Sequence, residues 1–303
     1  MSRYIKFDAK RSCASLAVLM LTMFCFLDAS RVDAADDSKP HIVLVVGTLH
    51  YSPELTLPPF ANELERLGFR TTVVMGEGNP EAKKENVLPG IEALADADAA
   101  IFFMRFLKLP DTEWQPIEDY IRSGKPVIGL RTANHSFKYP KGHPRYEWND
   151  GFSRRVLGTP YVVHQTGLTQ ISVVEKNRDH PIMTNISNRQ WESEGTLYLT
   201  RLQGGCQPLV TGTGQGKVRM LEKDYGTILV NDSESDIVAW TWRNEWDAKV
   251  FSTTLGHPAD FGEESFTRML VNAVFWAVDR PAPSADAAIS TWNIQRADKK
   301  PKR

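Results

Sequence analysis

Four short apolar runs recur along the first half of the chain: His41-Ile-Val-Leu-Val-Val-Gly47, Phe69-Arg-Thr-Thr-Val-Val-Met75, Ala99-Ala-Ile-Phe-Phe-Met104 and Pro126-Val-Ile-Gly-Leu130. Runs of this length, bounded by Gly, Pro or polar residues, read as buried strands. Helix-patterned sequence separates them. A helix is expected from Pro58 or Pro59, with Phe60, Leu64 and Leu67 on one stripe and Gly68 at its end; a weak one is expected around 87–94. Another is expected over 111–122, with Trp114, Ile117, Tyr120 and Ile121 at helical spacing and Gly124 as its stop. Strands alternating with short helical crossovers imply an α/β fold with a doubly wound, mostly parallel sheet.

The fourth run ends in Gly129-Leu-Arg-Thr-Ala133, where a strand-to-helix nucleophile elbow carries Ser or Cys between small residues. Here the position is Arg131, which is no nucleophile. Functional groups at the carboxyl ends of such strands face the crevice where open α/β sheets bind ligands, so Arg131 and His135 are expected to line a pocket. Residues 138–161 read as a long loop or short helix covering it. Segments 161–164 and 170–174 look like strands; 237–242 and 249–254 are expected to pair around a turn at 244–247, ahead of a last helix over 263–278.

The amino terminus combines Arg3, Lys6, Lys10 and Arg11 with the apolar run Leu16–Leu27 and then Val32-Asp-Ala34. A basic segment, about a dozen apolar residues and a small-x-small site make a secretory leader, whereas a bilayer span needs roughly 20 apolar residues. Cleavage is expected after Ala34, giving a secreted or periplasmic protein without a stable membrane span; an uncleaved anchor is the alternative. Cys13 and Cys25 lie in that leader, so the mature chain keeps Cys206 alone and can form no internal disulfide.

Of 36 basic and 37 acidic residues, five and three lie in 1–34, and five and one in 296–303, leaving 26 against 33 in the folded part. That acidic balance disfavours nucleic-acid binding. The organisation expected is a leader over 1–34, one domain over 38–280, and a Pro/Ala-rich, basic, disordered tail over 281–303. Thr211-Gly-Thr-Gly-Gln-Gly-Lys217 fails the spacing of a phosphate loop and reads as a hairpin or surface loop. No dinucleotide fingerprint follows the first strand, and no paired-His helix announces zinc.

What remains is a set of polar residues near strand ends: His50, Arg131, His135, His164, Glu194 and His257. Phe251-Ser-Thr-Thr-Leu-Gly-His-Pro258, with Asp260, Phe261, Phe266 and Asn272-Ala-Val-Phe-Trp-Ala277, resembles the closing signature of the trehalose-utilisation (ThuA-like) family. The 124–137 stretch resembles its central strand and elbow, Val156-Leu-Gly158 with His164 its middle block, and His180-Pro-Ile182 with Glu194 and Tyr198 a later one. The resemblance implies a class I glutamine-amidotransferase-like (flavodoxin-like) architecture without the amidotransferase Cys. It also implies a role in disaccharide catabolism, on 3-keto sugars made by a partner sugar dehydrogenase. The chain departs from the family pattern at Arg131, where many relatives carry His, and at Glu192-Ser-Glu194.

Cleavage of a 3-keto glycoside by proton abstraction and elimination needs a base, an oxyanion stabiliser and an acid. His257 or His135 could be the base, Arg131 the stabiliser and Glu194 the acid, with His50, His164, Trp148 and Trp191 binding the sugar. A second version places a divalent metal ion that polarises the ketone on His50, His135, His164 or His257 together with Glu194. A rival of another class is a non-catalytic carbohydrate-binding or sensing domain, with tryptophan faces stacking on sugar rings.

Overall fold

The computed structural model describes residues 38–77, 86–223 and 226–294. Two compact units are distinguished, Met1–Pro40 and His41–Arg303, and everything below concerns the second. The expected leader and the basic residues 296–303 lie outside the described residues. Within them, no helix is long and apolar enough to cross a membrane.

The described strands are β1 (His41–Gly47), β2 (Arg70–Met75), β3 (Ala99–Met104), β4 (Val127–Leu130), β5 (Val163–His164), β6 (Thr169–Val173), β7 (Gln190–Ser193), β8 (Tyr198–Leu199), β9 (Gln207–Gln215), β10 (Arg219–Lys223), β11 (Gly226–Val230), β12 (Ser233–Arg243) and β13 (Lys249–Thr253). Nine of them form one sheet in the order β2-β1-β3-β4-β13-β12-β9-β6-β7. The first five run parallel and the rest alternate antiparallel.

Both faces of the parallel part are covered, which is why its strands are apolar throughout rather than alternating. Ile42, Leu44 and Val46 meet Phe60 and Leu64 of α1 (Pro53–Arg66) and Phe266 and Leu270 of α3 (Glu264–Ala277) on one face. Val43 and Val45 meet Trp114 and Ile117 of α2 (Asp111–Arg122) on the other, with Trp148 and Phe152. Each fully buried Phe contributes about 2–3 kcal/mol.

The doubly wound sheet and the β12–β13 pair agree with the sequence reading. Several local expectations do not. Helix α1 begins at Pro53, not at Pro58 or Pro59. Pro53 takes the first helical position, and the carbonyls that Pro58 and Pro59 leave unbonded, those of Glu54 and Leu55, belong to the first turn. The helix expected around 87–94 is a 3-10 turn, Ile91–Asp96, because Pro89-Gly90, with Gly90 at φ 86°, blocks helix before Ile91. The Gly-rich 211–217 stretch is mostly strand β9. Its glycines mark close approach: a Cβ on Gly212 would fall 2.7 Å from Thr169 Cγ2, and one on Gly214 2.7 Å from Leu197 Cβ.

Composition marks 281–303 as disordered, yet 281–294 lies folded against the domain. Arg66 Nη2 donates to the Ala288 carbonyl, Ser290 N and Oγ both donate to the buried Glu63 carboxylate, and Arg268 Nη2 donates to Ala287 O. Trp292 packs on Phe60 and Phe261, and its amide donates to Phe261 O at 3.0 Å. Ile289 and Trp292 are the apolar anchors that a compositional argument averages away.

Candidate functional site

In the order β2-β1-β3-β4 the chain turns opposite ways on either side of the β1–β3 boundary, and the crevice outside the carboxyl ends there is where such sheets bind ligands. Backbone strain concentrates at that edge. Tyr51 (φ 68°) and Ser52 (φ 51°) follow β1, Phe106 (φ 54°) follows β3, and Arg131 (φ 49°) follows β4. Left-handed backbone costs a non-glycine residue about 1–2 kcal/mol, and it persists at functional positions that their surroundings over-determine.

Arg131 opens the 3-10 turn Arg131–His135 and is only 1% exposed. Its Nη1 donates to the carbonyls of Thr196 (2.9 Å) and Thr254 (2.6 Å). Its Nη2 donates to Tyr51 Oη (3.1 Å) and Thr196 Oγ1 (3.2 Å). The guanidinium lies between two rings, 4.4 Å from the centre of Tyr51 and 4.2 Å from that of Tyr198. Gly195 lets the guanidinium lie close against the backbone: a Cβ there would stand 3.1 Å from Nη1, tighter than an ordinary contact. Arg131 thus ties the ends of β4 and β13 to the 194–198 loop. With four donors engaged and almost no exposure, it does not meet a ligand as the sequence reading supposed.

Around it runs a chain of rings. His50 and His257 flank Tyr51, at 4.3 and 5.9 Å between centres; His135 lies among Phe106 (5.1 Å), Tyr161 (4.5 Å) and Tyr198 (5.9 Å). His164 Nδ1 is 2.6 Å from Tyr161 Oη. Burial pushes the Tyr51 phenol up, but the Arg131 charge and hydrogen bonds from Tyr198, Arg131 and Thr196 outweigh it and bring Tyr51 below the ordinary tyrosine value. Its neighbours move the other way: burial drives Tyr198 up, and burial with the neighbouring Tyr51 takes Tyr161 up to about 12. Three tyrosines in one site are thereby driven apart, Tyr51 downward and Tyr161 and Tyr198 upward.

Burial, then the positive charges of Arg105 and Arg131, hold His135 well below the usual histidine range, so its ring is neutral. Its Nδ1 is 2.7 Å from Asn134 Oδ1, which places the proton on Nδ1 and leaves Nε2 as an acceptor. His257 Nδ1 accepts from Ala259 N (3.3 Å), closing a capping box with Asp260, and stands 3.9 Å from the exposed Glu194 carboxylate. Asp260 is buried and accepts from Ser193 Oγ and the amides of Gly256 and His257; burial raises it above the usual carboxylate value.

The fold therefore brings His50, Arg131, His135, His164 and His257 to one edge, with Glu194 at its rim. Trp148 and Trp191, read as sugar-binding faces, are instead core: Trp148 packs between Trp114 and Trp246, and Trp191 is 8% exposed in the core beneath α3. The histidines are interleaved with tyrosine rings rather than convergent. Among the described residues, no three His, Cys, Asp or Glu side chains are placed to hold a metal ion, so the donor set does not fit the divalent ion considered from sequence. The site residues that sequence reasoning missed are Tyr51, Tyr161 and Tyr198. A signal was available, since Tyr51 directly follows His50 at the end of the first strand and Tyr161 stands three residues before His164.

The parallel sheet order and the elbow after β4, with Arg131 in place of a nucleophile, define a class I glutamine-amidotransferase-like protein that lacks the amidotransferase thiol. Within that class, the model of the trehalose-utilisation family, ThuA, matches residues 50–277, and the chain belongs to that family. Two solved ThuA-like proteins share the fold. The one from Parabacteroides merdae ATCC 43184 aligns over 82% of this chain and 93% of its own, at 13% identity and a TM-score of 0.54. The one from Bacteroides uniformis ATCC 8492 aligns over 80% and 94%, at 17% identity and 0.52. No curated protein matches the chain in a sequence comparison.

Proposed function

We propose that the chain is an exported carbohydrate-active enzyme that cleaves an oxidised glycoside by acid/base chemistry, with Tyr51 as the proton-transferring group. The reading rests on the Tyr51 phenol held 3.1 Å from the Arg131 guanidinium, whose charge favours the ionised form and brings the phenol below the ordinary tyrosine value. In a 3-keto glycoside the hydrogen on C2 is acidic because the resulting enolate is delocalised onto the ketone. Tyr51 takes that proton; the electron pair forms the C1–C2 double bond as the C1–O bond breaks, and the leaving oxygen takes a proton from His257. In the neutral ring Nδ1 of His257 accepts from Ala259 N–H, which fixes its proton on Nε2, the nitrogen that hands a proton to the leaving oxygen. His135 Nε2 serves as a neutral acceptor for a sugar hydroxyl. Water added across the new double bond yields the free keto sugar, so the net reaction is a hydrolysis run through a lyase step.

The roles differ from the sequence reading in one respect: Arg131 acts through Tyr51 instead of touching substrate. Oxidation at C3 is assigned to a partner sugar dehydrogenase. The test is to incubate the purified mature chain with a disaccharide and its 3-keto derivative and follow release of the aglycone sugar. Release from the keto form alone supports the reading, and release from neither rejects it. A non-catalytic binding domain is less well supported, since Trp148 and Trp191 are packed away from any sugar.

Export rests on the 1–34 leader sequence. Intact-mass measurement of secreted material is expected to place the amino terminus at Ala35 or within a few residues. A secreted form that still carries Met1 contradicts cleavage.

A further inference from the structure

The folded part of this chain is acidic, yet the groups gathered at the proposed site are cationic. Arg105 lies over the Phe106 ring at 4.3 Å, with Lys138 at 4.9 Å from the same ring, and Phe106 is in contact with His135. From the opposite side Arg219, on the β10–β11 hairpin, donates from Nη2 to the carbonyl of His164. The charges of Arg219, Arg131 and Arg105 all act on His164, after burial, to keep it neutral. Two carboxylates are near: Glu194, exposed at the rim, and Asp260, buried and already accepting three hydrogen bonds.

A second observation is independent of charge. Among the described residues, Asn134 Nδ2 and Arg219 Nε are buried nitrogens with no hydrogen-bond partner, and Thr132 Oγ1 is a buried hydroxyl in the same state. Two of these three belong to the one turn that follows β4, and the third belongs to the residue that reaches His164. A buried orphan donor costs about 1–3 kcal/mol, and three such groups around one site mark a place short of partners. Each sugar hydroxyl brings a donor along with its acceptors; a carboxylate or phosphate group brings acceptors only, with a charge opposite to Arg105, Lys138 and Arg219.

We infer that the sugar taken by this site carries a negative charge, as a carboxylate or a phosphate, bound between the Arg105/Lys138 side of Phe106 and Arg219. This deepens the proposed function and rests on its carbohydrate reading. Guanidinium groups pair with either anion in bidentate fashion, so the two sources share one chemistry.

The experiment is calorimetric titration of the mature chain with glucose, glucuronate, glucose 6-phosphate and inorganic phosphate at one ionic strength. Glucuronate or glucose 6-phosphate is expected to bind at least about tenfold tighter than glucose, with the preference lost in Arg105→Gln and Arg219→Gln and restored in part by Arg219→Lys. Comparing glucuronate with glucose 6-phosphate separates the carboxylate from the phosphate. Equal affinity for glucose and both anions overturns the inference and leaves acid/base cleavage standing, the cations then serving the enolate that forms only during reaction. Binding of inorganic phosphate as tight as either sugar overturns the inference as well, because the site then recognises a bare anion. No binding of any sugar rejects the carbohydrate reading along with it. The wild-type comparison decides these cases even where a variant fails to fold.

Discussion

Tyr51→Phe is expected to lower turnover on the keto disaccharide by about 10²- to 10⁴-fold, the range for removing a group that transfers a proton in the transition state. The substitution is conservative in every other respect. A phenyl ring retains the stack on Arg131 at 4.4 Å and the edge contacts to His50 and His257. What goes is the oxygen that accepts from Arg131 Nη2 and Tyr198, and Nη2 keeps Thr196 Oγ1 as a partner. The stability loss should stay near 1 kcal/mol, or about 2–4 °C in Tm for a domain of this size. KM should change little, since the hydroxyl acts on the reacting proton rather than in holding the sugar. Turnover equal to that of the parent chain would remove Tyr51 from the chemistry and return the base to His135 or His257.

How much of this was legible before folding depended on which physical signal each feature left in the chain. The parallel half was plain because strands buried on both faces must be apolar along their whole length, as Ile42, Val43, Leu44 and Val45 are. The antiparallel half was harder: β9 alternates Gly with Thr because its neighbours Leu197 and Val238 fill the space a side chain would need, and glycine reads locally as loop. The site was half legible. His50, Arg131, His135 and His257 were recognisable from their places after predicted strands, but their roles depend on contacts between residues far apart in sequence. Arg131 and Thr254 are 123 positions apart, so nothing local marks the Nη groups of the guanidinium as engaged rather than available. Tryptophans failed as a guide for the same reason: Trp148 offers a flat face in sequence, and the fold covers it with Trp114, Trp246 and Arg155. Tyr51 was overlooked because nothing local in the sequence lowers a phenol; the buried Arg131 guanidinium that does so comes from 80 positions away.

Arg131→Ala carries the second large effect, and here sequence and structure give opposite expectations. If Arg131 faced the ligand, its removal would leave Tm nearly unchanged, because polar groups at a pocket rim contribute little packing. A buried guanidinium with four hydrogen bonds behaves otherwise. The variant leaves the carbonyls of Thr196 and Thr254 without their donor, empties the space between the Tyr51 and Tyr198 rings, and keeps a non-glycine residue at φ 49°. Desolvating the charge opposes these contributions, but removing one partner of a buried polar network exposes the rest to the full penalty, so the loss should be about 3–5 kcal/mol. That corresponds to roughly 6–20 °C in Tm. Arg131→Lys should recover little of it, because one ammonium cannot span Tyr51, Thr196 and Thr254 while lying flat between two rings. Denaturant titration supplies the free energy, with an unchanged m-value as the check that folding stays two-state. In whatever fraction remains folded, Tyr51 has lost the charge that lowers it, so the limb of the pH–rate profile on which activity rises as Tyr51 loses its proton should move up toward the free phenol value near 10. An Arg131→Ala protein that melts within about 2 °C of the parent while losing sugar affinity would reverse the assignment, placing the guanidinium against the ligand after all.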